Sequence, residues 1–157
     1  MATQTGPTTV AELLAIGDEG RWEIIAGTPR YRPGASLMHA DCAGRLIREV
    51  GRYADARELG DAGPALSILL ATDPATLLVP DLVAEVLADD DRAQDLDEKI
   101  WLYLRAGVPL LWIVNPNRCS VTVYTADGAV RFALPGGVLE GGDVLPGLAL
   151  PVDRIFA

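Results

Sequence analysis

Apolar positions recur along this chain with two different periods, and the changes between them mark out its elements. In "ASLMHADCAGRLIREVGRYADAREL", Leu46, Val50, Tyr53 and Ala54 form one stripe and Arg45, Arg48 and Arg52 another, the spacing of an amphipathic helix. The helix is expected over 40–58, ending near Gly60. A second helix is expected over 92–106: Leu96, Ile100, Tyr103 and Leu104 line a stripe, Asp89, Asp90 or Asp91 can cap its start, and Gly107 stops it. Acids crowd its first turn, where the helix dipole favours them. Between the two helices, "PALSILLATDPATLLVPDLVAEVL" is two apolar runs around the turn signal Asp73-Pro74-Ala75-Thr76, a hairpin or a pair of adjacent strands. "VPLLWIVNP", "SVTVYTADGAVRFAL" and "GGDVLPGLALPVDRIF" add three or four strands, two of them joined at an Asp127-Gly128 turn. At the start, Thr8 or Thr9 opens a short helix with Glu12 in its first turn, and "RWEIIAG" is a strand that ends in turn residues.

The order α-β-α-β-β-α-β-β-β describes an α/β (α+β) fold in which helices flank one mixed central sheet. Strands within 65–87 and 108–125 are expected to share that sheet, with both long helices packed on it. A length of 157 residues, 50% of them hydrophobic, suits one domain over 1–157. The N-terminus has no basic residue before its short apolar patch, and no window approaches a spanning helix. A cytoplasmic location is expected. Cys42 and Cys119 have no CxxC partner and no nearby histidines, so they read as core thiols.

Charge changes the picture in its distribution more than in its total. A net charge of −9 argues against non-specific nucleic-acid binding. Yet seven arginines (21, 30, 32, 45, 48, 52 and 57) face five acids between Gly20 and Gly60, whereas eight acids face only Arg92 and Lys99 between Asp81 and Lys99. An arginine-bearing face beside an acidic centre is what a metal-dependent enzyme acting on a phosphodiester needs. The acidic centre also holds an anomaly, because Asp81 and Glu85 interrupt the strand-like run "PDLVAEVL". A carboxylate in a buried strand is costly unless it has a partner or a task.

The segments "GRWEIIAG", "MHADCAGRLIREVGRYADARELG", "PDLVAEVL", "DEKIWLYLRAGVPLLWIVNP", "VTVY" and "VLPGLALPVDRIF" together resemble the Uma-two family of restriction endonucleases, a branch of the PD-(D/E)XK nuclease superfamily. The resemblance covers nearly the whole chain in order. It implies a restriction-endonuclease-like core: a mixed central sheet flanked by helices, acids holding Mg2+ or Mn2+, and a lysine near the attacking water. On this chain Asp81 and Glu85 match the metal-binding acids, while the lysine position of the motif falls on Leu87; Lys99, the sole lysine, stands in the following helix where the family carries one. Glu23 matches a family glutamate that approaches the metal, and His39 stands where the family tends to have a histidine. DNA is the implied substrate, Arg45, Arg48 and Arg52 are the candidate phosphate contacts, and a homodimer is the implied assembly, with strands near the C-terminus as its interface.

The chemistry has a physical logic of its own. Hydrolysing a phosphodiester needs a charged pentavalent arrangement to be stabilised and a water to be deprotonated near neutral pH, and hard cations held by carboxylates do both. Members of the family carry one acid on each of two strands, whereas this chain shows a single "PDLVAEVL". Positions four apart on a regular strand share a face but stand about 13 Å apart, too far for Asp81 and Glu85 to grip one ion. A bulge would shorten that gap, or Asp61 or Asp73 would supply the missing ligand. Two function classes follow: a metal-dependent endonuclease using Asp81, Glu85, Lys99 and Glu23, and a catalytically degenerate relative serving as a binding or assembly module. Each residue also has an ordinary role available, Lys99 as the i,i+4 partner of Asp95 above all.

Overall fold

The computed structural model describes residues 9, 11, 12, 15, 22–25, 27–31, 36–64, 79–89 and 91–157. Asp73, the apolar run that precedes it, the cap candidate Asp90 and Thr8 lie outside the described residues. Thr9 and Glu12 form a reciprocal capping box, Thr9 N–H donating to Glu12 Oε2 at 3.1 Å and Glu12 N–H to Thr9 Oγ1 at 3.2 Å, which accounts for the helical residues 11, 12 and 15.

A hairpin follows, β1 (Trp22–Ile25) paired antiparallel with β2 (Thr28–Tyr31). The second strand departs from the turn expected there. Pro29 fits because β2 pairs with β1 alone among the described residues, and Trp22 packs edge-on against its cross-strand partner Tyr31 at 5.3 Å. Helix α1 (Leu37–Asp55) comes next. Ser36 caps it, accepting from His39 N–H at 3.2 Å, and its buried residues Cys42, Leu46, Val50 and Ala54 recur every four positions.

The central sheet has the order β3-β4-β5-β6: β3 (Leu82–Val86), β4 (Leu110–Asn115), β5 (Ser120–Thr125) and β6 (Val130–Ala133). β3 and β4 are parallel and joined through helix α2 (Ala93–Ala106), whereas β4, β5 and β6 run antiparallel. The strands expected in one sheet do share it over their described parts. β4 carries five buried residues in succession, as a strand covered on both faces should. Gly128, at φ +82, closes the expected Asp127-Gly128 turn between β5 and β6. A second hairpin, β7 (Val138–Gly141) and β8 (Leu145–Pro151), and the short helix α3 (Asp153–Phe156) end the chain.

Helices α1 and α2 cover opposite faces of the sheet. On one face α1, β8 and α3 pack over Val86, Leu110, Trp112, Val114 and Val121. On the other, Leu96, Ile100 and Tyr103 of α2 pack over Val83, Leu111 and Ile113. Gly107, at φ +89, ends α2 as expected. The start of α2 differs from expectation: Arg92 is the N-cap with no side-chain bond. The candidate caps are engaged elsewhere, Asp91 Oδ2 accepting from Ala88 N–H at 2.8 Å and Asp89 Oδ1 from Asn117 Nδ2 at 2.8 Å. These bonds tie down the loop leaving β3.

Candidate active site

The acids of "PDLVAEVL" take two different positions. Alternation along β3 sends Val83 and Glu85 to the α2 face and Val86 to the α1 face. Glu85 is thereby aimed at α2. Its Oε1 accepts from Tyr103 Oη at 2.6 Å and stands 2.9 Å from Lys99 Nζ. Tyr103 and Lys99 are four residues apart on one helical face, so both reach the same oxygen. The partnered carboxylate explains how a largely shielded strand tolerates an acid. Asp81, by contrast, is exposed at the mouth of the strand and makes no hydrogen bond or ion pair among the described residues. β3 pairs with β4 in unbroken register from Leu82 to Val86, so no bulge draws Asp81 toward Glu85 and the separation stays at about 13 Å. Asp61 is exposed beyond the end of α1.

Glu23 comes to the cluster from the hairpin, its Oε2 3.1 Å from Lys99 Nζ. Lys99 therefore bridges two carboxylates carried by β1 and β3, with its side chain only 12% exposed. That environment replaces the solvated pair with Asp95 expected from i,i+4 spacing. Asp95 instead binds Arg30 Nε at 3.0 Å. Glu23 and Arg30 are directly opposed in the hairpin, while Asp95 and Lys99 lie one helical turn apart, so the hairpin docks on α2 through a square of alternating charge.

The structure thus gathers Glu23, Glu85 and Lys99 and adds Tyr103, which sequence reading places only in the apolar stripe. A signal for it exists: a tyrosine on a buried face needs a partner for its hydroxyl, and an acid in the facing strand needs a donor. Arg45, Arg48 and Arg52 are not part of this assembly, since α1 covers the opposite face of the sheet. Arg52 binds Glu49 at 3.0 Å on that side. His39 donates its backbone N–H to the α1 cap, and its buried Nδ1 has no hydrogen-bond partner.

Chemically, the cluster offers hard carboxylate oxygens, a cation fixed between them and a phenol that orients one of them. Among the described residues no three metal-ligating side chains of the His, Cys, Asp or Glu type converge. No curated protein matches the chain. Among solved structures it is similar to "a putative nuclease belonging to DUF820 from Anabaena variabilis ATCC 29413", with a TM-score of 0.75 over 96% of this chain and 98% of that one. The two share 17% identity, so the likeness concerns the fold, a mixed sheet with flanking helices. The model of a family described as "Uma2: Putative restriction endonuclease" matches residues 9–153, and with that match spanning nearly all of its length, the chain belongs to the Uma2 family.

Proposed function

We propose that this chain is a divalent-metal-dependent endonuclease, and that it hydrolyses phosphodiester bonds of DNA at the Glu23–Lys99–Glu85 cluster. The observation that carries the reading is the convergence of three charged side chains from β1, β3 and α2 within 3.1 Å of one ammonium. The donor set suits Mg2+, or Mn2+ in its place: Mg2+ is commonly held by one or two carboxylates and completed by water and a substrate phosphate. Glu23 and Glu85 would hold it. When bound, such an ion supplies Lewis acidity and lowers the pKa of a coordinated water. Lys99 places a positive charge beside the phosphate, and Tyr103 fixes the Glu85 carboxylate through Oε1. Asp81, in this reading, belongs to the entrance of the site, where it can meet the approaching strand or its counter-ions.

A second reading, a non-catalytic binding or assembly module, is favoured by the separation of Asp81 from the cluster. Nicking of supercoiled plasmid in Mg2+ against a chelator decides between the two. The nuclease reading expects nicking that Glu85→Gln and Lys99→Met both abolish; intact plasmid under Mg2+ and Mn2+ alike overturns it. The same proposal places the protein in the cytoplasm as one domain and as a homodimer. Edge strand β6 supports the dimer, since Val130 and Phe132 are 48% and 69% exposed there. Among the described residues no helix is long and apolar enough to cross a membrane.

A further inference from the structure

On the sheet face away from Lys99, a groove of about 390 Å³ runs between α1, β8 and α3. Among the described residues lining it are Arg52, Arg57 and Arg154 with a single carboxylate, Glu49, an excess of two positive charges on a chain of net charge −9. These arginines are held in place. Glu49 takes one guanidinium on each oxygen, Arg52 Nη2 at 3.0 Å and Arg154 Nη1 at 3.4 Å. Arg57 lies 3.7 Å above the Tyr53 ring, and the Tyr53 hydroxyl is fixed by donating to the Pro146 carbonyl at 2.7 Å. The wall opposite is kept low by Gly147, at φ +81, where a Cβ would meet the Tyr53 hydroxyl at 3.2 Å.

We infer that this groove binds the phosphodiester backbone of a single-stranded nucleic acid, as a site separate from the Glu85–Lys99 cluster. A guanidinium has five N–H donors in a planar fork that matches two phosphate oxygens at once. The bonds to Glu49 occupy only part of that capacity, so donors remain for an anion. Pinning long side chains before the ligand arrives lowers the ordering cost of binding. The Arg57 guanidinium, stacked on Tyr53, presents a planar surface on which a base can stack. The inference does not depend on the nuclease reading, because the groove shares no residue with the cluster and the sheet separates them.

Fluorescence anisotropy of a labelled oligothymidylate, with the intact protein in chelator so that no metal-dependent cleavage intervenes, tests it. Combined Arg57→Gln and Arg154→Gln is expected to weaken binding about tenfold at low salt, ~1.4 kcal/mol. The slope of log affinity against log salt should fall by about 1.4, roughly 0.7 for each lost phosphate contact. Lys99→Met should bind as the parent does. Competition with pyrophosphate separates a simple phosphate site from a strand-binding one: weak displacement by pyrophosphate and full displacement by unlabelled oligonucleotide are expected. Unchanged affinity and salt slope in the double variant overturn the inference. So does displacement by polyglutamate as effective as that by oligonucleotide, which would make the groove a general anion patch.

Discussion

Glu85 Oε1 and Lys99 Nζ lie 2.9 Å apart, one on the edge strand of the central sheet and the other on the helix that crosses over it. The pair is mostly shielded, and Lys99 also faces Glu23. Removing one member of a fully buried ion pair costs about 3–5 kcal/mol; with Glu23 26% and Glu85 19% exposed, Lys99→Ala is expected to cost about 2 kcal/mol. Denaturant unfolding measures it. A midpoint equal to that of the parent would contradict the bridging role, which differs from that of a solvated i,i+4 pair.

Tyr103→Phe deletes a single oxygen and leaves the ring packed against Val83 and Ile113. Hydrogen bonds to charged groups contribute about 1.5–3 kcal/mol, so a loss near 1.5 kcal/mol is expected. A double-mutant cycle with Glu85→Gln should show a coupling of about 1 kcal/mol. Additive losses would mean that the hydroxyl acts through some other neighbour.

Asp81 gives the contrasting case. Exposed and without a partner among the described residues, it should tolerate Asp81→Asn within about 0.5 kcal/mol. If Glu23 and Glu85 hold the metal, plasmid nicking survives that change. Loss of nicking at unchanged stability would instead return Asp81 to the ligand set.

Metal affinity should depend on substrate. With two carboxylates already sharing an ammonium, calorimetric titration of Mn2+ into the free protein is expected to show only weak binding, strengthened by an uncleavable DNA analogue that brings its own phosphate oxygens. Glu23→Gln should abolish the strengthening. Tight, stoichiometric uptake by the free protein would point to a ligand beyond this pair.

Acid titration has a defined sign at the β5–β6 turn. The Thr125 hydroxyl and the Ala129 N–H bond the Asp127 carboxylate and hold its pKa below the ordinary 3.8. A depressed carboxyl pKa stabilises the fold above the unfolded value, and that contribution is lost as pH falls through the folded one. The stability difference between the parent and Asp127→Ala should therefore persist at neutral pH and shrink on the acid side of 3.8. Parallel curves across that range would show that the turn bonds do not depend on ionisation.

Much of the fold was legible because single elements carried their own signals. The four-residue recurrence from Cys42 to Ala54 and the stop at Gly107 are local facts, and both helices follow from them. β2 was not legible, since Pro29 and its neighbours have turn chemistry and only pairing with β1 makes them a strand. The site was legible as residue types and not as partners. Asp95 is the partner of Lys99 that spacing suggests, yet Arg30, 65 positions away, claims Asp95 and leaves Lys99 to two carboxylates. No local rule sees that exchange, because tertiary docking of the hairpin decides it.

The alternating charges of Glu23, Arg30, Asp95 and Lys99 act as a registration key. If the hairpin docked with its strands exchanged, Arg30 would face Lys99 and Glu23 would face Asp95, and both attractions would become repulsions. Misalignment is penalised by the same side chains that reward correct seating. The contacts that deliver Glu23 to Lys99 therefore also proofread the assembly of the cluster, and a chain that folds with the hairpin misplaced would lack Glu23 at Lys99 and be less stable as well.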